Sequence, residues 1–264
     1  MPVPEAGARI EDPAVAPPAS PQPPPFFRWL TYLLLLPLLV LATAVFGTVS
    51  LLCGLWDTTG RQQHWIARQW ARVLLRLALS PVTVVHPERL EHLGPAVFAA
   101  NHLSYYDTPV LFAKLPFQFR ILAKASLWKL PFIGWYLHRS GQVPIDHSSA
   151  RAGVASLGHG AKTLRSGLPL VVFPEGGRAA SGHLQPMAGG AAWMALKAQV
   201  PLVPLTLVGT YELLPIHVYA LHPRPLKLIV GQPIPTTGLT PRDADRLTHQ
   251  LHTEIHRTYL AELP

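Results

Sequence analysis

Short apolar runs alternate with longer amphipathic segments along most of the chain. Runs of branched and apolar residues bounded by turn residues predict strands, and apolar positions that recur at helical spacing after a cap predict helices. The predicted strands cover 82–85, 96–100, 119–123, 168–173, 202–208 and 226–230, and the predicted helices cover 148–166, 190–199 and the region from 240 onward. This order predicts an α/β fold with a mixed sheet flanked by helices.

A long uncharged segment precedes this α/β domain. Residues 29–56 contain no charged side chain, and this run exceeds the roughly 20 residues that a helix needs to cross a bilayer. The pattern predicts an N-terminal membrane-embedded helical segment. Pro37, Gly47 and Gly54 leave open whether it spans once as a kinked helix or turns back as a re-entrant hairpin. A secretory signal peptide is the alternative, which the length of the run and its poorly basic N-terminal flank disfavour.

The two flanks of this segment differ in character. Residues 1–25 are rich in proline and poor in large apolar residues, which predicts a disordered or extended tail. Downstream, an amphipathic helix places four arginines on one side, which are Arg61, Arg68, Arg72 and Arg76. Its apolar side fits either the membrane surface or packing against the α/β domain. The basic flank predicts that this domain faces the cytoplasm. The predicted divisions are 1–25, 26–80 and 81–264.

Composition narrows the classes of partner. The chain has 264 residues, a formal net charge of +8 and 49% hydrophobic residues. Together with the apolar segment, this charge favours an anionic lipid or phosphate substrate over nucleic acid, for which no motif is present. The single Cys53 excludes an internal disulfide framework.

The apolar run at 97–100 breaks into polar residues at a point suited to catalysis. His102 lies just beyond the predicted strand, and Asp107 follows five residues later. On one continuous helix these side chains would lie about 140° apart, so a turn between them is predicted. Asp107 or Thr108 would then be the N-cap of the next helix, with the carboxylate able to orient the imidazole as a general base.

A second predicted strand, at 168–173, also ends in a polar turn. Glu175, Gly176, Gly177 and Arg178 follow it. The glycines let backbone N–H groups approach a ligand closely, and the guanidinium fork suits phosphate, so the turn is a candidate anion site. The alternative is an ordinary turn with a surface ion pair. A metal site made by His102, Asp107 and Glu175 is conceivable, but nothing in their spacing favours it.

Together the two motifs resemble those of the glycerolipid acyltransferases of the 1-acylglycerol-3-phosphate acyltransferase type. Residues 140–147 and 200–205 occur in the order of two further blocks of that family, so the resemblance covers roughly residues 80–235. It implies His102 as catalytic base and Asp107 as its orienter. The substrate-binding positions that we predict are Asn101, Ser104, Lys124, His147, Glu175, Gly176, Gly177 and Arg178.

The resemblance also implies a reaction. A fatty acyl group would pass from a thioester, either acyl-CoA or acyl carrier protein, to the free hydroxyl of 1-acylglycerol-3-phosphate, giving phosphatidate for phospholipid biosynthesis in the membrane. No cofactor and no metal are expected, and nucleic acid is not an expected partner. The alternatives are acylation of another lysophospholipid or an amino-acid lipid, or a non-catalytic membrane lipid-binding protein of the same fold.

Three departures from the family pattern affect the expected acceptor. His147 stands where the family usually has arginine, Gly177 replaces a threonine, and residues 186–190 lack a common lysine. A phosphomonoester needs cations around it. Either Lys124 and Arg151 compensate, or the acceptor carries less charge than 1-acylglycerol-3-phosphate.

Overall fold

The computed structural model describes residues 23–146 and 148–263. The strands are β1 (Val82–Val85), β2 (Val97–Ala100), β3 (Arg120–Lys124), β4 (Val143–Ile145), β5 (Leu170–Val172), β6 (Leu202–Val208) and β7 (Leu226–Val230). The α-helices are α1 (Pro25–Leu30), α2 (Leu36–Cys53), α3 (Arg61–Leu77), α4 (Asp107–Lys114), α5 (Ile133–Arg139), α6 (Ala150–Arg165), α7 (Gly190–Ala198), α8 (Thr210–Leu213) and α9 (Ala244–Ala261).

Within the described residues, one mixed sheet of seven strands runs in the order β1-β7-β6-β2-β5-β3-β4. Neighbouring strands from β6 to β4 are parallel, whereas β7 is antiparallel to β6 and parallel to β1. The carboxyl ends of β2 and β5 therefore meet at the same edge of the sheet, which is where open α/β sheets commonly hold their sites.

Helices cover both faces of this sheet, and the side chains of β2 show why. Phe98 and Ala100 belong to a buried cluster with residues of α3 and α4, while Val97 and Ala99 belong to another with residues of α6, α7 and α9. Alternate side chains of a strand point to opposite faces, so a strand buried on both faces reads as a continuous apolar run. The predicted α/β class with a mixed sheet is confirmed.

Local sequence signals set the beginning of two helices. The Ser149 side chain accepts the N–H of Ala152 and caps α6, and Thr240 and Asp243 form a capping box before α9.

β4 is a strand that was not predicted from the sequence. It pairs only with β3 at the end of the sheet, where Pro144 is tolerated because an edge strand needs fewer N–H donors.

The N-terminal segment is one continuous helix over Pro25–Cys53, in which a π-helical stretch, Thr31–Leu35, joins α1 to α2. Within the described residues it is the helix that is long and apolar enough to cross a membrane, with a mean hydropathy of 2.3 and 11% of the window buried. This low burial distinguishes it from a core helix of a soluble protein. The helix continues through Pro37 and Gly47 and ends at Gly54, which is its C-cap. Residues 1–22 of the predicted tail lie outside the described residues.

The basic helix α3 packs against the α/β domain and against α2. Its buried positions include Ile66, Ala71 and Leu74, and the last two belong to the cluster beneath the sheet. The buried Arg120 donates to the carbonyl oxygen of Thr59 at 2.7 Å, just before the helix begins. Of the two interpretations left open for the apolar side of α3, the structure supports packing within the protein.

Candidate active site

His102 and Asp107 are brought together beyond the carboxyl end of β2. The imidazole Nδ1 lies 2.9 Å from Asp107 Oδ2, in a pair whose side chains are 18% and 0% exposed. A carboxylate can only accept, so Nδ1 carries the proton and Nε2 is left as the acceptor. Within the described residues Nε2 has no hydrogen-bond partner. The arrangement suits removal of a proton from a hydroxyl placed at Nε2.

The same carboxylate closes the turn that carries His102. Asp107 Oδ2 also accepts the backbone N–H groups of Leu103 at 2.7 Å and Ser104 at 2.8 Å. The prediction that Asp107 or Thr108 is the N-cap of the next helix is wrong. Tyr106 is the N-cap, and Asp107 is the first residue of α4. The carboxylate turns back toward its own loop, and this fixes the distance between base and orienter.

Glu175 supports His102 through the backbone. Its Oε1 accepts the N–H of His102 at 2.6 Å and its Oε2 accepts the N–H of Gln185 at 2.8 Å. In addition, Ala179 donates its N–H to the carbonyl oxygen of His102 at 3.0 Å. Burial raises the pKa of Glu175 to about 8, against the effect of the two N–H bonds, and the Asp107 charge adds to the rise. Both oxygens of Glu175 thus bind the protein backbone, and its role in binding the acceptor stays a prediction.

Asn101 and Ser104 are likewise used within the protein rather than presented to a substrate. The buried Asn101 amide donates to the carbonyl oxygen of Leu207 at 3.0 Å and accepts the N–H of Leu207 at 2.7 Å. The Ser104 hydroxyl donates to the carbonyl oxygen of Leu214 at 2.6 Å and accepts the N–H of Tyr106 at 3.1 Å. Both were predicted as substrate-binding residues, and both instead anchor the His102 turn to neighbouring segments.

The second turn presents its glycines and arginine at the surface. Gly176, Gly177 and Arg178 are exposed, and Gly176 has a φ of 72°, a left-handed conformation that favours glycine. The guanidinium carbon of Arg178 lies 4.2 Å from the centroid of the Tyr105 ring. Within the described residues Arg178 forms no hydrogen bond or ion pair, so its N–H groups are available to an anion.

The remaining predicted site residues are less closely connected to this centre. Lys124 is exposed at the end of β3, two strands away from β2 in the sheet order. Within the described part of the chain, no hydrogen bond or ion pair joins it to His102 or Arg178. His147 lies outside the described residues.

Two aromatic residues of the site were missed by the sequence analysis. The Phe173 ring is stacked on the His102 imidazole, with centroids 3.9 Å apart and planes at 16°. Tyr105 lies against Arg178 as described above. In the sequence, Tyr105 lies three residues after His102 in the first motif, and Phe173 lies five residues before Arg178 in the second motif. These positions within the two motifs were the signal that could have identified both aromatic residues.

The described residues contain no group of three or more His, Cys, Asp or Glu side chains arranged to hold a metal ion.

Comparison with known proteins identifies the class of this domain. Residues 81–208 match the family described as Acyltransferase. This segment, a little under half of the chain, is similar to acyltransferase domains, and the resemblance of its motifs to the 1-acylglycerol-3-phosphate acyltransferase type is confirmed by relatives of that name.

Three relatives illustrate the similarity. A chloroplastic 1-acyl-sn-glycerol-3-phosphate acyltransferase of Arabidopsis thaliana is 33% identical over 156 residues, 58% of this chain and 42% of the relative. The human beta enzyme of that name is 30% identical over 66% of this chain and 63% of the relative. The Saccharomyces cerevisiae enzyme is 32% identical over 70% and 63%. The chain thus spans less than two thirds of these relatives.

A solved structure shares the fold. The crystal structure of the 1-acyl-sn-glycerophosphate acyltransferase PlsC from Thermotoga maritima matches with a TM-score of 0.73 over 88% of this chain and 95% of that chain. The sequence identity is 22%, so this similarity concerns the architecture.

Proposed function

We propose that the chain is a membrane-associated acyltransferase that transfers a fatty acyl group from a thioester donor to the free hydroxyl of 1-acylglycerol-3-phosphate, giving phosphatidate. The donor is acyl-CoA or acyl carrier protein. The observation that carries the proposal is the His102–Asp107 pair, whose Nδ1–Oδ2 distance of 2.9 Å leaves Nε2 open as an acceptor. The names of the relatives support the same reaction.

The proposed step uses the acceptor's own hydroxyl as nucleophile. His102 Nε2 takes the hydroxyl proton while the oxygen attacks the thioester carbonyl, and Asp107 stabilises the imidazolium that forms. The tetrahedral intermediate then collapses, an ester bond forms, the carbon–sulfur bond breaks, and the proton passes from His102 to the leaving thiolate. General-base assistance of this kind contributes about 10²–10⁴-fold to a rate.

The acceptor headgroup is assigned to Arg178. Its guanidinium is exposed and free of protein hydrogen bonds within the described residues, which suits paired hydrogen bonds to a phosphate. Lys124 lies two strands away from β2 and supplies no second cation in contact with Arg178. Among the described candidates Arg178 is thus the cation assigned to the headgroup, and the second candidate is a lysolipid or amino-acid lipid with a less charged headgroup.

We further propose that the helix over Pro25–Cys53 is embedded in the bilayer and that the α/β domain lies on the cytoplasmic side. The helix exposes large apolar side chains such as Leu33, Val40 and Leu41, and Trp29 and Trp56 at its two ends are exposed as well. Aromatic residues at such ends suit the membrane interface. Protease protection in inside-out vesicles tests the orientation, and protection of the α/β domain would contradict it.

The reaction is tested with the full chain purified in detergent. Each thioester donor is incubated with a panel of acceptors, namely 1-acylglycerol-3-phosphate, lysophosphatidylcholine, an N-acyl amino-acid lipid and the uncharged monoacylglycerol. The proposal predicts thioester consumption that depends on the acceptor and is fastest with the phosphomonoester. Faster use of another acceptor supports the second candidate. Binding of lysolipid without thioester consumption would identify a non-catalytic binder.

A further inference from the structure

Each of the two motifs of the site contributes an aromatic ring that packs against a side chain of the other motif. Phe173 precedes the second turn and stacks on His102 of the first, with ring centroids 3.9 Å apart. Tyr105 belongs to the first turn and lies under Arg178 of the second, 4.2 Å from the guanidinium carbon to the ring centroid. Each of the two side chains assigned to the chemistry therefore rests on a ring supplied by the other motif.

The contact with Tyr105 is suited to presenting Arg178 to an anion. A guanidinium stacked on an aromatic face is held by cation–π attraction, while its N–H groups point outward along the edge of the plane. Within the described residues no hydrogen bond or ion pair holds Arg178. The ring thus restricts this long side chain without occupying its donors.

The backbones on both sides of the contact are fixed. Ser104 and Tyr106, which flank Tyr105, are buried and joined by the hydrogen bond from the Tyr106 N–H to the Ser104 hydroxyl. On the other side, the buried Ala179 donates its N–H to the carbonyl oxygen of His102. Tyr105 itself is 38% exposed, and its ring lies against the Arg178 guanidinium.

We propose that Tyr105 is a positioning residue, which holds the Arg178 guanidinium flat so that its N–H edge faces the phosphate of the acceptor. This inference rests on the proposed function and adds a residue that governs recognition of the headgroup. Phe173 stacks on His102, so we expect that replacing Phe173 affects the proton-transfer step.

The first test separates acceptor binding from turnover. Tyr105→Leu removes the aromatic face but keeps an apolar side chain, and Tyr105→Phe keeps the ring. An exposed cation–π contact changes binding by about two- to fivefold, so Tyr105→Leu should raise the KM for 1-acylglycerol-3-phosphate by that factor. The donor KM and kcat should stay within twofold, and Tyr105→Phe should restore the wild-type acceptor KM. By contrast, Phe173→Leu should lower kcat, with thermal unfolding measured to confirm folding.

The second test asks whether Tyr105 acts through Arg178. In the Arg178→Ala background, Tyr105→Leu should cause no further rise in the acceptor KM, because the two substitutions remove one interaction. With an uncharged monoacylglycerol acceptor, Tyr105→Leu should likewise have no effect. Equal effects of Tyr105→Leu with and without Arg178, or a loss confined to kcat, would overturn the inference.

The same experiments distinguish failure of the inference from failure of the proposed function. Wild-type protein that transfers acyl groups to 1-acylglycerol-3-phosphate, combined with no coupling between positions 105 and 178, would overturn the positioning role and leave the function intact. Wild-type protein that prefers the uncharged acceptor would overturn both, because no phosphate would then be recognised.

Discussion

His102 and His64 have similar apolar surroundings but face opposite charges. His102 is stacked on Phe173. His64 packs against Phe112 and Phe119, with ring centroids at 5.3 and 4.7 Å. The difference lies in the charged groups nearby, which are a carboxylate 2.9 Å from His102 and two arginines around His64.

This difference decides what each imidazole can do. Burial lowers the pKa of His64 to about 4, and the positive charges of Arg120 and Arg68 act in the same direction. An imidazole that is penalised for taking a proton is a poor base, whereas a carboxylate stabilises the protonated form. The aromatic and buried environment is common to both histidines, and the Asp107 carboxylate is the difference on which we base the proposal that His102 is the catalytic base.

The largest effect is expected when the carboxylate that distinguishes the two histidines is neutralised. Asp107→Asn should lower kcat by about 10²–10⁴-fold, because the amide no longer stabilises the imidazolium and the tautomer of His102 is no longer fixed. Steady-state acyl transfer in detergent measures this, with circular dichroism to establish that the fold persists. A variant within a few-fold of wild type would mean that Asp107 only closes the turn.

A smaller effect is expected from the carboxyl group that holds the His102 backbone. In Glu175→Gln the amide nitrogen cannot accept, so the N–H of His102 or of Gln185 loses its partner. An unpaired buried donor costs about 1–3 kcal/mol, and kcat should fall with the loss of alignment. Glu254→Gln is the matched control, because its ion pair with Arg257 is exposed on α9 and should change stability little.

Glu175 also predicts a pH dependence of stability. Its folded pKa of about 8 exceeds the ordinary value of 4.5, so the folded protein keeps a proton that the unfolded chain releases. The contribution to stability is complete below pH 4.5 and is lost as the pH rises through 8. Thermal unfolding across this range should show a shallower decline for Glu175→Gln than for wild type, and parallel curves would contradict the assignment.

The smallest effect is expected at the structural histidine. The folded pKa of His64 is depressed from 6.5 to about 4, so its contribution to stability is present above pH 6.5 and is lost as the pH falls toward 4. His64→Leu should flatten this acid decline in unfolding temperature while leaving transfer at pH 7.5 near the wild-type rate. His159→Gln, an exposed substitution on α6, should retain the wild-type slope.

The sequence predicted those parts of the fold that depend on neighbouring residues. The helices predicted at 148–166 and from 240 onward are present as α6 and α9, and short-range chemistry explains them: Ser149 caps α6, and Leu247, Leu251 and Ile255 recur at helical spacing on the buried side of α9. Likewise, the turn that brings Asp107 back to His102 was predicted from their five-residue spacing. Such features depend on residues that lie close together in the sequence.

The parts that were not predicted depend on contacts between distant segments. The Asn101 side chain pairs with the backbone of Leu207, 106 residues later, and Glu175 reaches the N–H of His102, 73 residues earlier. Both residues have the polar chemistry of substrate ligands, and only the sheet order shows that the protein itself uses their polar atoms. The antiparallel pairing of β6 with β7 similarly has no signature in either strand alone.

The central claim, that His102 is the base for acyl transfer, is tested most directly by replacing it. Wild type and His102→Ala, purified in the same detergent, are compared for phosphatidate formed from 1-acylglycerol-3-phosphate and each thioester donor at saturating concentrations. The account predicts product with wild type and a kcat at least about 10²-fold lower for the variant, with unchanged thermal unfolding. Turnover by His102→Ala within a few-fold of wild type would contradict it.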